Sequence, residues 1–525
     1  MDYLNQLAPI LILLAVVATV IARLPNVEGV NHSVAFKRRR VFNWLPLGLT
    51  YAFLYMGRYN LKVSKFAFEE MSGSDGEALM SNNAFSTIFF WGVIVYGISF
   101  LINGPLTDKY GGKFSILVGA AGSLFMNMMM GLCTMALVND WSLKEVIVEN
   151  FVLVFSSLYA LNMYFQSFGA VAIVKVNAPW FHIRERGVFG AIFGVLISLG
   201  IYFAFDWSSL ILKLGVSESM STAERLAQVQ SNLPYVFLVP TIVLCVLWTV
   251  DFFVVQNTPG EAGMEDFDTA DASSGDEGPQ LSAVEVFKKM LTNPIILTIA
   301  FIEFCSGFLR QAIMQWYRTF AKQTDGVLAL KGDFVYDNWG LLLCCAGIMG
   351  GVVAGTISDH VFQSRRGPVA AVLYAAMFVG AILLYFVYDS PGITVAGFVF
   401  HPQAWLVIFM SMAVIGVHGM LSGTASMDFG GKKNVGIAVG IIDGFVYLGT
   451  GVMSLTYGIV LPQEEIVDGK ISGPATNPEN WSSWPLSMIP LALLGFILAT
   501  RVWNAKPKPK KSSASDSEEK DESIS

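Results

Sequence analysis

Asn103-Gly104-Pro105-Leu106-Thr107-Asp108-Lys109-Tyr110-Gly111-Gly112-Lys113 joins two apolar runs, roughly 81–105 and 113–138, each long enough to cross a bilayer as a helix. Its glycines permit a tight turn and close helix approach, and Asp108 is placed to pair with cationic groups at the helix ends. Lys109 and Lys113 assign the turn to the cytoplasmic side. A looser copy stands far downstream: Gly351-Val-Val-Ala-Gly355-Thr-Ile-Ser-Asp359, followed by Arg365-Arg366-Gly367. A duplicated turn of this kind predicts a chain built from two related halves.

The rest of the sequence agrees. The chain has 525 residues, 54% of them hydrophobic and only 14% charged, with a mean hydropathy of +0.56. That composition excludes an ordinary soluble protein and predicts an all-α polytopic membrane protein. An apolar run from Leu7 to Ile21 comes first, followed by Arg23 and the cluster Lys37-Arg38-Arg39-Arg40. This charge order predicts an uncleaved helix with its N-terminus outside. Twelve further runs follow, at roughly 41–64, 81–105, 113–138, 149–175, 187–212, 234–255, 293–320, 337–358, 367–389, 403–424, 433–461 and 483–503. Every second connection is basic (Lys109 and Lys113, Arg184 and Arg186, Lys288 and Lys289, Arg365 and Arg366, Lys432 and Lys433), while 66–80, 139–149 and 462–482 are acidic or mixed.

The expected organisation is an extra N-terminal helix and basic linker over 1–40, a six-helix half over 41–255, a cytoplasmic linker over 256–292, a second half over 293–503 and a disordered cytoplasmic tail over 504–525. Five cysteines and five histidines show no metal-ligand spacing, and no nucleophile triad or nucleotide loop is present, so an enzyme is not expected. No cofactor, metal or nucleic acid is called for.

Arg58 ends the stretch Tyr51-Ala-Phe-Leu-Tyr55-Met-Gly-Arg58, well inside the first of the twelve runs. A permanently charged guanidinium there either faces a protein interior or snorkels to the headgroups. The internal repeat bears on the choice, because the first helix of the second half contains Arg310 at a comparable position. Each helix carries further basic residues beyond its arginine, Lys62 and Lys65 in one and Arg318 and Lys322 in the other. With the snorkelling positions so occupied, two symmetry-related arginines converge on a midplane cleft, where planar forks suit a phosphate.

The doubled motif resembles the G-x-L-x-D-[RK]-x-G-[RK]-[RK] signature of the major facilitator superfamily, which implies two six-helix bundles, here with one extra N-terminal helix. Further stretches resemble the organophosphate:phosphate antiporters within it, with some likeness to the sugar-phosphate exchangers. These are Tyr96-Gly97-Ile-Ser, Trp180-Phe181-x-x-Arg184-Glu185-Arg186-Gly187, Thr258-Pro259-x-x-x-Gly263, Asp359-x-Val361-Phe362 with Arg366-Gly367, and Lys432-Lys433. The resemblance implies exchange of a phosphorylated metabolite, a glycerol phosphate or sugar phosphate, for inorganic phosphate by alternating access. It carries the phosphate-binding arginines onto Arg58 and Arg310, and pocket aromatics onto Tyr51, Tyr55, Tyr96, Tyr164 and Tyr447. Gating charges fall on Asp108, Lys109, Lys113, Asp359, Arg365, Arg366, Arg184 and Arg186.

The chain departs from the glycerol-3-phosphate transporters at Phe100 and Ile197, where they have a lysine and a histidine. Asp443 and His418 are additional polar candidates for the substrate site. Asp443 can balance an arginine, contact sugar hydroxyls, carry a proton or cap a helix; Glu303 is placed to pair with Arg310. The implied setting is the inner (plasma) membrane of a bacterium, as a monomer with a cytoplasmic C-terminus. Two other functions fit the same sequence: a proton-coupled organic anion symporter, and a sugar-phosphate sensor that does not transport.

Overall fold

The computed structural model describes residues 33–504, apart from 74–76, 183–185, 218, 268, 270–282, 358–360, 363–365, 396–397 and 468–469, together with the isolated positions 11, 15 and 18. The side chains of 186–193, 283, 286, 289, 355–356, 395, 398, 423–436, 438, 466–467 and 470 are outside that description. The expected helix over 7–21 therefore lies almost wholly beyond it.

Twelve long helices carry the described fold: α1 (Val34–Phe68), α2 (Asn82–Tyr110), α3 (Gly112–Val138), α4 (Phe151–Asn177), α5 (Arg186–Tyr202), α6 (Thr222–Val254), α7 (Pro294–Gln323), α8 (Trp339–Thr356), α9 (Arg366–Val387), α10 (Pro402–His418), α11 (Ser426–Val460) and α12 (Ser483–Arg501). Among the described residues, ten helical segments are long and apolar enough to cross a membrane. α1 is long enough but carries Lys37, Arg38, Arg39 and Arg40 in its first turns and Arg58, Lys62 and Lys65 further on, and α8 is a shorter apolar helix. The chain is an integral membrane protein.

Helix starts follow local chemistry. Ser33 accepts from Phe36 N at 3.1 Å, Ser81 from Ala84 N at 3.2 Å, and Asn293 from Ile295 N at 3.0 Å ahead of Pro294 in the first turn of α7. α5 continues through a π-helical turn (Phe203–Trp207) into a short helix, Ser208–Leu212. The helix Ala283–Leu291 occupies part of the expected linker. Two small antiparallel hairpins, β1 (Ile393–Val395) with β2 (Phe398–Phe400) and β3 (Glu465–Val467) with β4 (Lys470–Ser472), sit in connections between helices.

One boundary departs from the sequence reading. The basic cluster is not linker but the first turns of α1, which starts at Val34. Arg39 donates to Val254 O at 2.7 Å and the buried Arg40 to Trp180 O at 3.3 Å, so these cations satisfy carbonyls where α6 and the segment after α4 end. Side chains beyond the helix end supplied the reason to continue it, which apolar periodicity alone does not register.

Within the second half, α7 and α11 approach backbone to backbone. A Cβ built on Gly307 would stand 1.9 Å from Val446 O, and one on Gly449 would stand 2.0 Å from Phe304 O. Glycine is required at both, and the closeness holds α11 against α7 beside Arg310.

Candidate functional site

Arg58 is 1% exposed, and three acceptors surround its guanidinium. Nε donates to Gln166 Oε1 at 2.9 Å, Nη1 to the Tyr447 hydroxyl at 2.9 Å and Nη2 to the Tyr96 hydroxyl at 2.7 Å. The rings of Tyr55 and Tyr96 lie 4.6 and 4.4 Å from its Cζ. All these partners are neutral, so the cation is solvated by the protein but its charge is not cancelled by them. Gln166 is oriented from behind: its Nε2 donates to Ser123 Oγ and Asn162 Oδ1, both at 3.2 Å. Asn162 is pinned in turn to Gly57 O at 2.9 Å. Gln166 escaped the sequence reading, although Asn162 and Gln166 in α4 and Ser123 and Asn127 in α3 form two i, i+4 polar pairs within apolar runs, a signal that was available.

Arg310 presents a contrast. It is 7% exposed, and its Nε and Nη2 are buried with no hydrogen-bond acceptor among the described residues. Tyr55, Tyr59 and Tyr447 lie within electrostatic reach of both arginines, which places the two guanidinium groups around one tyrosine cluster. Tyr59 accepts from Gln311 Nε2 at 2.9 Å, joining α1 to α7 beside that cluster. An anion entering here would supply acceptors that Arg310 lacks.

Glu303 does not take Arg310 as its hydrogen-bond partner. Its Oε2 lies 2.7 Å from His418 Nδ1 in α10. The helical spacing from Glu303 to Arg310 allowed a pair along α7, but the neighbouring helix offers the carboxylate a closer partner. Ser422 Oγ donates to Asp443 Oδ1. Asp443, His418 and Glu303 all interact electrostatically with Arg310 or one another, so the second half contributes an acidic, histidine-bearing wall that the first half does not match.

Among the aromatic candidates, Tyr55, Tyr96 and Tyr447 touch Arg58, and the Tyr96 and Tyr447 ring centroids are 4.2 Å apart. Tyr51 is one layer removed, edge-on to Tyr55 at 5.3 Å. Half-buried Tyr164 packs on Phe165 and Phe168 and touches neither arginine. Phe100 packs edge-on to Tyr96 at 4.8 Å, so an aromatic ring fills that part of the wall.

The cations beyond the arginines do not snorkel. Lys65 is fully buried and bonds Glu69 at 2.5 Å and Glu464 at 2.9 Å. Lys322 pairs with Glu69 and Glu70, both at 2.7 Å, and Lys62 donates to Thr319 at 2.5 Å. Arg318 donates to Ser209 Oγ at 3.1 Å. Asp206, in the π turn after α5, accepts from Gly340 N and Leu341 N at the start of α8, each at 2.9 Å. Apart from Lys65–Glu69, these bonds cross from one half to the other, and they close the end of the molecule that carries residues 69–81 and 461–482. Lys65 and Lys322 are drawn inward because carboxylates from the other half meet them there, while Lys62 and Arg318 meet hydroxyls.

The profile of the Major Facilitator Superfamily matches residues 47–454. The chain belongs to that superfamily. It is a transport protein of this fold and not an enzyme. The glycerol-3-phosphate transporter of Bacillus subtilis is 24% identical over 502 residues, covering 91% of this chain and 96% of the relative. The membrane sensor protein UhpC of Salmonella typhimurium is 24% identical over 426 residues, covering 78% and 83%. Among solved structures, the D-xylose-proton symporter superposes with a TM-score of 0.56 at 14% identity, covering 89% of this chain and 98% of that one. The likeness in sequence is to the organophosphate:phosphate antiporters of the superfamily.

The superfamily's doubled turn is visible in its first copy. Gly111 adopts φ +90°, and a Cβ there would meet Asn257 Oδ1 at 3.0 Å; Asn257 itself accepts from Lys113 N at 2.9 Å. Asp108 pairs with Lys175 of α4 at 2.7 Å. Lys109 lies over Tyr110 and Lys113 over Phe252. In the second copy Arg366 donates to Met420 O at 3.5 Å. Arg184, Asp359 and Arg365, and the side chain of Arg186, lie outside the described residues.

Proposed function

We propose that this chain exchanges a phosphorylated small metabolite, a glycerol phosphate or a sugar phosphate, for inorganic phosphate by alternating access. The carrying observation is the pair of buried arginines around one tyrosine cluster, one of them with two donors still lacking an acceptor. A phosphoryl group fits between them, since its oxygens accept from both forks and its charge balances theirs. The name of the Bacillus relative and its coverage of nearly the whole chain support the same substrate class. Asp443 and His418 would face the non-phosphate end. The closed end carrying Glu69 and Glu464 would lie outside a bacterial inner membrane, with the Asp108 turn and the C-terminus in the cytoplasm, and a monomer would suffice.

A second reading, proton-coupled symport, is favoured by the Glu303–His418 pair beside Arg310, since a proton shared there can be carried with an anion. Purified protein in liposomes preloaded with labelled phosphate, challenged from outside with phosphorylated metabolites, tests the proposal. Efflux driven by an organophosphate supports it. If binding occurs without efflux, the chain behaves as the sensor relative's name describes that protein, and the transport reading fails.

A further inference from the structure

Resting on the exchange reading, we propose that the Tyr447 hydroxyl is a placeholder for a phosphate oxygen on Arg58, and that this bond keeps the empty carrier from reorienting. The three acceptors on Arg58 are not equivalent. Gln166 (α4) and Tyr96 (α2) belong to the same half as Arg58 and travel with it, whereas Tyr447 (α11) belongs to the other half. The 2.9 Å bond from Arg58 Nη1 to Tyr447 is therefore a tie between halves made at the ligand site itself. Arg310, also within electrostatic reach of Tyr447, holds two donors open. One arginine is thus occupied by protein while the other waits.

This inequality orders the events. An anion arriving at Arg310 meets the Tyr447 hydroxyl next to it and the Arg58 fork behind that. A phosphate oxygen is a charged acceptor and displaces a neutral phenol from a guanidinium. Tyr447 is released, Arg58 remains satisfied, and the tie between the halves is gone. Without an anion, separating the halves takes from the buried Arg58 Nη1 the acceptor it has, which opposes the motion. The cross-half bonds at the closed end, such as Lys65 to Glu464 and Lys322 to Glu69, end on no arginine of the site. Coupling of inward to outward movement then follows from one hydroxyl.

The test compares Tyr447→Phe with Tyr96→Phe in liposomes loaded with labelled phosphate, after both variants are shown to melt as the wild type does. Each change removes one hydroxyl from Arg58, but only the first cuts the tie between halves. Efflux is measured with external phosphate present (exchange) and absent (leak). Tyr447→Phe is expected to raise the ratio of leak to exchange about tenfold or more. Tyr96→Phe weakens phosphate binding and, with external phosphate raised to saturation, leaves that ratio where it was. An unchanged ratio in Tyr447→Phe, an equal rise in both variants, or a folded Tyr447→Phe carrier that neither exchanges nor leaks overturns the inference. Absence of phosphate exchange in the wild type instead removes the exchange reading on which it rests.

Discussion

Lys65, near the end of α1, bonds Glu464, which lies 399 residues further on in the connection between α11 and α12, at 2.9 Å and with both side chains fully buried. The same carboxylate accepts from Asn82 N at 3.1 Å, so one glutamate of the second half holds both α1 and α2 of the first. Removing its charge leaves Lys65 with Glu69 alone. Glu464→Gln should weaken the closed end by about 3 kcal/mol, the cost typical of breaking a buried pair. Spin labels at the exposed positions 77 and 479, one in each half, read the consequence. A new, longer distance population is expected in the variant, and an unchanged distribution would show that this pair is not a gate.

The same cluster makes a pH prediction. Glu69 lies just beyond the end of α1; burial alone would push its carboxyl up, but Lys322 and Lys65 outweigh that and hold it below the ordinary carboxylate range. A depressed folded value contributes stability that is complete above the unfolded value of about 4.3 and is lost as pH falls towards the folded one. Closure at this end should accordingly be flat between pH 8 and pH 5 and loosen only in stronger acid. Glu69→Gln should remove the acid-dependent part. A closed-state population that drops between pH 7 and pH 5 in the wild type would contradict the assignment.

The two arginines should respond differently to lysine. Arg58→Lys forfeits the fork that serves Gln166, Tyr96 and Tyr447, and should lower stability by about 2 kcal/mol as buried acceptors lose a charged donor. Arg310→Lys gives up donors that have no acceptor among the described residues, so its melting temperature should stay near that of the wild type. Both should abolish phosphate exchange. Thermal melts in detergent alongside vesicle transport would settle the point, and equal destabilisation would refute the contrast drawn between the two sites.

Gly307→Ala tests the α7–α11 contact. The added methyl has to displace the Val446 carbonyl, a backbone atom that cannot rotate away, and overpacking of this kind costs about 1–3 kcal/mol. Gly351, whose Cβ would meet nothing within 4 Å, is the matched control and should tolerate alanine. The two melting curves make the comparison.

How much of this was legible in the sequence follows from what hydropathy reports. Run lengths and the alternation of basic connections located the helices, and the internal repeat brought Arg310 forward as the partner of Arg58. The partners of buried charges were not legible. Lys62, Lys65, Arg318 and Lys322 look from sequence like residues reaching for headgroups, because nothing along α1 or α7 reveals that Glu464 and Thr319 meet them from the opposite half. Glu303 likewise had one visible partner on its own helix, while His418 was hidden in another. Gln166 carries neither charge nor ring to mark it in an apolar run, yet this neutral amide, aimed by Asn162 and Ser123, accepts from Arg58 Nε at 2.9 Å.

The central claim is exchange at a two-arginine site without a proton gradient. The most direct measurement is efflux of labelled phosphate from proteoliposomes held at equal pH inside and out with a protonophore present, started by adding glycerol 3-phosphate or a hexose phosphate outside. The account predicts rapid efflux on addition and little before it. Efflux that requires a pH gradient, or that runs at the same rate whether or not an organophosphate is added, would contradict it.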